Sequence, residues 1–486
     1  MLGSRWSVSS FINGTFCEAT GPETVRFNPA RPHEPVTSYQ QADSSALDSA
    51  VRAAVAAAGA WDDLGIIARG RILMRVGSLI RERRELLAEQ MTAENGKTIG
   101  ESELEVDASA DTFDYHGASS RGAVGVEYPS SNPDERIFTV RRPLGVVAVI
   151  TPWNFPLQIP AWKIAPALLY GNCVVWKSAS NTPAVSASLM EVMRDAGVPD
   201  GVVNLLLGPG PLGSELVSRP EIAGVTFTGS VPVGQHIRTI ATSRGAKLQM
   251  ELGGHNASIV LPDADLKLTA TSLVAASVAS TGQKCTATRR VILVGGGHEE
   301  LRNELISRVQ ELRLGDGCDP SVQIGPVVSR EARDEIRAAI DLALSEGGSI
   351  LAQATVPDSE GYFIPPTILT GPATMTICRE EVFGPVFTIL TAPTLDDAID
   401  LANSTRFGLT ASLFTSDEGA IRQCLKYLEA GLIKVNAPST GSELHAPFGG
   451  LKDSTFAGPR EQNNEAAAAF FTVEKTAYVR SAGVSK

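Results

Sequence analysis

One cysteine is a candidate nucleophile because of the residues around it. Cys285 lies in segment 281–287, TGQKCTA, where a Gly-Gln turn and small neighbours leave room for a substrate beside the sulfur. Glu251 opens segment 251–254, ELGG, and offers a carboxylate that could act as a base. Asn154 lies in segment 152–156, PWNFP, which ends a Val/Ile-rich run. A thiol, a carboxylate and a side-chain amide are together the groups needed for covalent chemistry on a carbonyl.

Each of these three residues also has an ordinary structural interpretation. A free cysteine is usually a small buried apolar side chain, and we interpret Cys173 and Cys424 in that way. Glu251 could be a solvent-facing carboxylate at a strand end, and Asn154 a turn asparagine beside a proline. In the functional interpretation, the Asn154 amide and the Cys285 N–H stabilise an oxyanion, with each donor contributing roughly 3–4 kcal/mol.

Further polar groups follow other predicted strands. In segment 226–230, TFTGS, a strand ends and a helix begins, so Gly229 and Ser230 could present free N–H groups to a phosphate. The alternative is a plain helix N-cap by Ser230. Lys177 follows an apolar run, although such a residue is most often a surface lysine. In segment 380–386, EEVFGPV, Glu381 could hold a ribose and Phe383 could pack on a ring, or the segment is an ordinary Gly-Pro loop.

The composition excludes several classes of protein. The 486 residues predict roughly three domain-sized units. A formal net charge of −12 argues against a nucleic-acid partner or an anionic membrane surface. Six scattered cysteines without CxxC spacing predict free thiols in a reducing cytoplasm. The N-terminus lacks a signal peptide's apolar core, no apolar run reaches the roughly 20 residues of a membrane span, and the histidines lack metal-ligand spacing. We therefore predict neither a membrane nor a metal.

The order of apolar runs and helical segments predicts a parallel, doubly wound α/β fold. Helices are predicted over 42–60 and around 72–80. Strands follow over 145–150, 173–176, 202–206 and 224–227, with a helix over 183–196. A second series has strands over 256–261 and 290–294 and helices over 265–278 and 299–312. The glycine pair at 253–254 lies between the proposed base and thiol, so we expect a hinge there and a site in the cleft between two sheets.

The motifs resemble those of the aldehyde dehydrogenase superfamily, in the family's order and over essentially the whole chain. They are PWNFP at 152–156, FTGS at 227–230, ELGG at 251–254, GQKC at 282–285, EVFGP at 381–385 and PFGG at 447–450. The resemblance implies a Rossmann-like dinucleotide-binding domain over 1–121 and 143–253 and a second α/β catalytic domain over 254–448. It also implies a small β oligomerisation arm over 122–142 and 466–486, and a homodimer or homotetramer. The strands near Phe138 and at 470–480 could pair with each other or with another subunit.

The resemblance implies a role for individual residues. Cys285 would be the nucleophile, Glu251 the general base and Asn154 the oxyanion donor. The cofactor, NADP or NAD, would contact Trp153, Lys177, Ser180, Gly229, Ser230, Leu252, Glu381 and Phe383. A small-molecule aldehyde would be bound by Phe155, Gln158, Trp162, Lys284, Thr286 and Phe448.

The implied reaction has four steps. The Cys285 thiolate adds to the aldehyde, and Asn154 holds the oxyanion of the thiohemiacetal. Hydride then passes to the nicotinamide, and Glu251 activates water to hydrolyse the thioester. The CoA-acylating branch of the family usually lacks this glutamate, so its presence favours release of a carboxylic acid over transfer to CoA.

The resemblance also bears on the choice of cofactor. Many NAD-preferring members carry a glutamate three residues after the lysine, where this chain has Ser180. A carboxylate repels a 2′-phosphate, whereas a serine can donate a hydrogen bond to it. We therefore expect NADP to be accepted.

The substrate class is suggested by three segments: QKCTAT at 283–288, PFGGLK at 447–452 and GPREQ at 458–462. They resemble dehydrogenases of α-ketoglutaric semialdehyde (2,5-dioxovalerate). Lys284 and Arg289 are candidate anion partners, and the alternative for each is a side chain that points away from the substrate. Succinate-semialdehyde dehydrogenases often have an arginine where this chain has Trp162, which weakens that reading of the substrate. The chain could instead act on an aromatic aldehyde, transfer the acyl group to CoA, or be a catalytically silent family member. His255 stands where the family usually has lysine.

Overall fold

The computed structural model describes residues 5–122, 125–456 and 458–480. Its strands are β1 (Trp6–Val8), β2 (Ser10–Ile12), β3 (Thr15–Cys17), β4 (Glu23–Phe27), β5 (Pro35–Gln40), β6 (Glu127–Tyr128), β7 (Glu135–Pro143), β8 (Val146–Ile150), β9 (Cys173–Lys177), β10 (Val203–Leu206), β11 (Ile222–Thr228), β12 (Lys247–Glu251), β13 (Asn256–Val260), β14 (Thr288–Val294), β15 (Ser349–Gln353), β16 (Thr367–Thr370), β17 (Val386–Ala392), β18 (Phe407–Gly408), β19 (Thr410–Phe414), β20 (Leu432–Val435), β21 (Leu451–Lys452) and β22 (Thr472–Arg480).

The α-helices are α1 (Ser44–Asp63), α2 (Ile66–Glu82), α3 (Arg84–Asn95), α4 (Ile99–Ala118), α5 (Gln158–Leu169), α6 (Pro183–Asp195), α7 (Gly210–Ser218), α8 (Val231–Ser243), α9 (Leu266–Val278), α10 (Glu299–Gln310), α11 (Arg330–Ser345), α12 (Leu395–Asn403), α13 (Glu418–Tyr427) and α14 (Asn464–Phe471). Short 3-10 turns cover Ser119–Arg121, Ala279–Gly282 and Thr376–Cys378. In the part of the chain described, no helix has both the length and the hydropathy needed to span a bilayer.

The first large sheet has the strand order β12-β11-β8-β9-β10-β2-β3. Its five strands from β8 to β12 are parallel, and β2 and β3 extend the edge in antiparallel fashion. Strands β8 and β9 are buried at every residue because their sequences, VVAVI and CVVWK, are almost wholly apolar and helices cover both faces. Strand β12 leads through residues 252–255 into the second sheet.

The second large sheet has the order β15-β16-β17-β14-β13-β19-β20, and only its edge strand β15 is antiparallel. Two apolar clusters pack on its faces, one around Ile292 and Leu413 and the other around Leu293 and Phe387. The two parallel sheets agree with the predicted α/β fold class.

A third sheet, β22-β7-β6, is antiparallel and small. Ala477 pairs with Phe138 in the middle of a nine-residue ladder, so the two extended segments pair with each other within one chain. The C-terminal strand begins at Thr472 because residues 464–471 form α14, whose Phe470 and Phe471 are buried in the core of the first sheet. The remaining strands form the sheets β1-β5-β4 and β18-β21.

Candidate active site

A cavity of about 340 Å³ opens where the two large sheets meet. Its lining residues are Pro152, Trp153, Asn154, Ile159, Thr228, Gly229, Ser230, Leu252, Gly253, Cys285, Glu381 and Phe383. The volume lies in the range of about 300–1,000 Å³ typical of small-molecule sites. The register of the first sheet explains part of this grouping, because Ile150 pairs with Lys177 and Thr228 pairs with Glu251. The carboxyl ends of these parallel strands, where open α/β sheets bind ligands, therefore face the cavity.

The loop before Cys285 is held in an unusual backbone conformation. Ser280 and Thr281 have φ values of 50° and 54°, and Gly282 follows at 66°. A left-handed non-glycine residue costs about 1–3 kcal/mol, so the surroundings must hold this segment in place. The Thr281 hydroxyl donates to the Gly325 carbonyl at 3.1 Å. Gly282 must be glycine, because a Cβ there would overlap the Gly384 carbonyl.

Cys285 lines the cavity, and the residue as a whole is half-buried. The Asn256 side chain donates a hydrogen bond to the Cys285 backbone carbonyl at 2.8 Å, and this bond holds the backbone of Cys285 in place. Burial raises the pKa of the thiol to about 12, and the carboxylates of Glu381 and Glu251 add to this shift. Burial and the two neighbouring negative charges therefore all oppose ionisation of the thiol.

Asn154 is buried, with one side-chain N–H group still available. Its Nδ2 donates to the Gln283 backbone carbonyl at 3.0 Å. An amide nitrogen carries two N–H groups, so a second donor remains for a ligand oxygen. Its Oδ1 has no hydrogen-bond partner. The side chain thus has the capacity expected of an oxyanion donor.

Glu251 ends β12 as a buried carboxyl whose two oxygens lack hydrogen-bond partners. Burial raises its pKa well above the ordinary range, and the negative charge of Glu461 raises it further. Lys163 and Arg460 oppose this shift. Lys163 forms a buried ion pair with Glu461 and also donates to the Thr226 hydroxyl at 2.9 Å. A carboxyl group with a raised pKa and free oxygens is suited to general acid–base chemistry.

Glu381 and Phe383 also line the cavity and come from the loop before β17 of the second sheet. The Glu381 carboxylate accepts the Gly254 N–H at 3.1 Å, and burial raises its pKa to about 7. A Cβ at Gly253 would overlap this carboxylate in its present position, so a side chain there would require Glu381 to move. The Phe383 ring meets Trp153 edge-on, with 5.6 Å between ring centroids. A planar ring entering the cavity would lie beside this aromatic pair.

Ser230 occupies the N-cap position of α8, but its side chain makes no capping hydrogen bond. The first N–H groups of the helix are therefore left for a ligand, as expected of an anion-binding turn. Lys177 is buried rather than at the surface, and this burial lowers its pKa to about 8. The Ser180 hydroxyl donates to the Gly208 carbonyl at 2.9 Å. Neither Lys177 nor Ser180 lines the cavity around the sulfur.

The residues predicted to bind the substrate also lie outside the lining of this cavity. They form aromatic contacts beside it: the Lys284 ammonium lies 5.6 Å from the Phe155 ring centroid, and the rings of Trp162 and Phe448 are 5.9 Å apart. Gln158 starts α5, and Thr286 is buried next to the cysteine.

Of the two interpretations of Arg289, the structure agrees with the one in which the side chain points away from a substrate and contradicts the anion partner. Its guanidinium is buried and donates to the backbone carbonyls of Gly384 at 2.5 Å and Gly282 at 2.6 Å. Burial lowers its pKa to about 10. The side chain therefore braces the cysteine loop instead of facing a substrate.

Comparison with known proteins places the whole chain in one family. The model of the aldehyde dehydrogenase family matches residues 16–477. The chain is 39% identical over 478 residues to an alpha-ketoglutaric semialdehyde dehydrogenase from Bacillus subtilis, covering 97% of this chain and 98% of that protein. It is 40% identical over 465 residues to a 2,5-dioxopentanoate dehydrogenase from Saccharolobus solfataricus, covering 95% and 97%. The chain belongs to the aldehyde dehydrogenase family.

A solved structure supports the same assignment for the fold. Betaine aldehyde dehydrogenase from Staphylococcus aureus, in a 1.90 Å crystal structure with NAD+, matches with a TM-score of 0.93 at 32% identity. The match covers 97% of this chain and 94% of that one. The family and the α/β fold class predicted from the motifs are confirmed.

His255, where the aldehyde dehydrogenase motif usually has lysine, is a buried neutral side chain. Burial and the positive charge of Arg290 lower its pKa to about 3. Its Nε2 lies 3.0 Å from the Ile377 carbonyl, and its ring stacks on Phe407 with 6.3 Å between centroids. The residue joins β13 to the loop before β17 and does not reach the cavity.

Several residues of this aldehyde dehydrogenase site were missed from the sequence. Ile159 and Thr228 line the cavity, and Lys163 and Glu461 control the charge around Glu251. Lys163 and Glu461 are 298 positions apart, so no local pattern links them. One of the missed residues could have been predicted from the motifs: Thr228 lies in the FTGS segment, directly before Gly229.

Proposed function

We propose that this chain oxidises a small aldehyde to the carboxylic acid with NAD(P)+ through a thioester on Cys285. One observation carries the proposal: Cys285 and the Asn154 amide line the same cavity, and Glu251 ends the strand that leads into it. Family membership supports the reaction class. The retained Glu251, with both oxygens free, favours hydrolysis over transfer to CoA.

The first step is addition of the Cys285 sulfur to the aldehyde carbon. The thiol gives its proton to solvent water, and its pKa is raised first by burial and then by the negative charges of Glu381 and Glu251. The carbonyl oxygen becomes an oxyanion that accepts hydrogen bonds from the free Asn154 N–H and from the Cys285 backbone N–H. Each such donor contributes about 2.7–4 kcal/mol to transition-state stabilisation.

The cavity fits the nicotinamide end of the cofactor. The helix N-terminus at Ser230 offers free N–H groups to a phosphate, and Glu381 offers a carboxylate to ribose hydroxyls. Trp153, Leu252 and Phe383 supply apolar surface for the ring, while Lys177 and Ser180 follow the neighbouring strand. Bound NAD(P)+ supplies the acceptor for the hydride that leaves the thiohemiacetal, so that a thioester remains on Cys285.

Hydrolysis of the thioester is the task of Glu251. As a carboxylate it takes a proton from water, and the resulting hydroxide attacks the thioester carbon. The Cys285 sulfur leaves as thiolate and the carboxylic acid is released. Burial, and then the charge of Glu461, raise the pKa of Glu251, which makes its carboxylate a stronger base toward water.

For the substrate we propose a semialdehyde, with α-ketoglutaric semialdehyde as the leading candidate. Support comes from the Bacillus and Saccharolobus relatives, each about 40% identical over nearly the full chain. We propose Lys284, whose ammonium lies 5.6 Å from the Phe155 ring centroid, as the cation that binds a substrate carboxylate. Trp162, Phe448, Gln158 and Thr286 would form the rest of the channel. An aromatic aldehyde is the second candidate, favoured by the Trp162–Phe448 ring pair, whereas the same Trp162 disfavours a succinate-type aldehyde.

We also propose the domain roles, the assembly and the location that the family resemblance implied. The first large sheet, which contains β12, would belong to the dinucleotide-binding domain. The second large sheet, which contains β13, would belong to the catalytic domain. The sheet β22-β7-β6 exposes Tyr128, Val140, Tyr478 and Val479, which suits a homodimer or homotetramer contact in the cytoplasm.

The test is an aldehyde panel assayed for reduced cofactor with NAD+ and with NADP+, each with and without CoA. It includes ω-carboxylate semialdehydes of four and five carbons, benzaldehyde and propanal. We expect the highest kcat/KM for the five-carbon semialdehyde and no requirement for CoA. Equal kcat/KM on all four aldehydes would contradict the carboxylate-substrate proposal, and a strict CoA requirement would contradict hydrolysis.

A further inference from the structure

Helix α4 carries two carboxylates, Glu101 and Glu105, that each bind the backbone of a different active-site loop. They are four residues apart and therefore lie one turn apart on the same face of the helix. The proposed mechanism uses neither residue. Glu105 faces the loop that carries Asn154, and Glu101 faces the loop that carries Cys285.

Glu105 is buried and holds the asparagine loop at two points. Its Oε1 accepts the N–H groups of Leu157 at 2.9 Å and Gln158 at 3.1 Å. These N–H groups lie at the start of α5, which has no side-chain cap of its own. Its Oε2 accepts the Lys97 ammonium at 2.5 Å, and that ammonium also donates to the Asn154 backbone carbonyl at 2.7 Å. The Lys97–Glu105 ion pair thus hydrogen-bonds to the backbone at two places, Asn154 and Leu157.

Glu101 holds the left-handed segment that leads to the cysteine. Its Oε1 accepts the Ser280 N–H at 2.5 Å and lies 3.4 Å from the Ser280 hydroxyl. Ser280 is the first of three successive residues with positive φ. The other oxygen, Oε2, accepts the Thr98 N–H at 3.2 Å in a capping box that starts α4. One carboxylate therefore ties the strained segment to the rigid start of the helix.

The two loops meet where Asn154 Nδ2 donates to the Gln283 carbonyl at 3.0 Å. We propose that Glu101 and Glu105 are positioning residues that set the Asn154 amide relative to the Cys285 N–H. This inference rests on the proposed function, in which those two groups bind the oxyanion. Both anchors lie on one helix, so the separation of the two loops is fixed by the helix rather than by either loop. A misplacement of about 1 Å in such a donor can cost about 10²-fold in rate.

The first experiment compares Glu101→Ala with Glu101→Gln, using Glu103→Ala as the matched control. Gln retains an oxygen that can accept the Ser280 N–H, whereas Ala does not. Glu103 lies on the same helix but pairs with Arg84 at 3.0 Å near the surface and touches neither loop. We expect Glu101→Ala to lower kcat about 10- to 100-fold with little change in KM for NAD(P)+. Glu101→Gln and Glu103→Ala should stay within about threefold of the parent chain. Equal kcat for Glu101→Ala and the parent chain would overturn the inference.

The second experiment separates positioning from general destabilisation by adding Asn154→Ala. If Glu101 acts through the oxyanion donors, the loss caused by Glu101→Ala should shrink to about threefold or less in the Asn154→Ala background. An undiminished, multiplicative loss would overturn the inference. Glu105→Ala should give the same pattern, and thermal melting shows which variants are folded. Glu105 forms a buried ion pair with Lys97, so Glu105→Ala could fail to fold. In that event the kcat values of the variants at Glu101, which is only half-buried, test the inference.

Failure of the proposed function gives a different result in the same experiments. If Asn154→Ala itself retained the parent kcat, the oxyanion role of Asn154 would be wrong and the positioning role would fall with it. If Asn154→Ala lost activity while Glu101→Ala did not, only the positioning role would be wrong.

Discussion

The side-chain amide of Asn154 donates to the backbone carbonyl of Gln283 at 3.0 Å, two residues before the proposed nucleophile. Asn154 follows β8 of the first large sheet, and Gln283 precedes β14 of the second. This hydrogen bond therefore joins the two sheets at the cavity. The second N–H of the Asn154 amide is left for a ligand oxygen. Because the first N–H is bonded to Gln283, the direction of the second depends on how the two sheets pack.

Replacement of the sulfur tests the nucleophile. Cys285→Ser should lower kcat by at least about 10³-fold, because a serine hydroxyl in this buried position ionises far less readily than a thiol. The measurement is steady-state reduction of NAD(P)+ with the best aldehyde. Cys318→Ser, at an exposed cysteine, is the matched control and should leave kcat unchanged. Retained turnover in Cys285→Ser would refute the covalent mechanism.

Replacement of the base should separate the two halves of the reaction. Glu251→Gln should abolish steady-state turnover while leaving one rapid equivalent of reduced cofactor per site, because hydride leaves before water attacks. Stopped-flow absorbance of NAD(P)H measures the burst. Mass spectrometry of the quenched protein should find an acyl group on Cys285. Absence of both the burst and the adduct would show that Glu251 acts before hydride transfer.

The pH dependence should report the charge of Glu461. Burial is the largest cause of the raised Glu251 pKa, and Glu461 adds to it, so Glu461→Gln removes one raising contribution. Glu251 is active as a carboxylate, so a lower pKa extends activity to lower pH. We expect the acid limb of the kcat–pH profile to move to lower pH.

Lys163→Met should shift the kcat–pH profile in the direction opposite to Glu461→Gln. Lys163 lowers the Glu251 pKa, so its removal should move the acid limb to higher pH. Breaking one side of a buried ion pair costs about 3–5 kcal/mol, so thermal melting must accompany both variants. Shifts in the same direction for both variants would contradict the electrostatic account.

The cofactor preference should respond to a charge at position 180. Ser180→Glu places a carboxylate where a 2′-phosphate is expected, so kcat/KM with NADP+ should fall about 10- to 100-fold. The value with NAD+ serves as the internal control and should change little. In the present structure the Ser180 hydroxyl donates to Gly208, so accepting a phosphate requires it to turn. An equal effect on both cofactors would show that residue 180 does not discriminate between them.

Motifs and continuous apolar runs were sufficient to predict the family, the α/β class, strands β8 to β11 of the first sheet and strands β13 and β14 of the second, but not β16, β17 or β19. Strands such as β8 and β9 can be predicted from the sequence because a strand covered on both faces is apolar along nearly its whole length. Cys173 and Cys424 are buried, as expected of cysteines that pack as small apolar side chains. The local context had marked Cys285 as different from them.

The sequence by itself determined which groups are present and which segments carry them: a thiol in TGQKCTA, an amide in PWNFP and a carboxylate in ELGG. Only the tertiary structure decided which of their neighbours are charged, buried or already bonded. Arg289 turned out to brace a loop, Glu461 to act on Glu251, and Glu101 and Glu105 to hold two loops from one helix. The physical reason is that hydrogen bonds and electrostatic shifts depend on distance and burial, and folding brings together residues that are far apart in the chain.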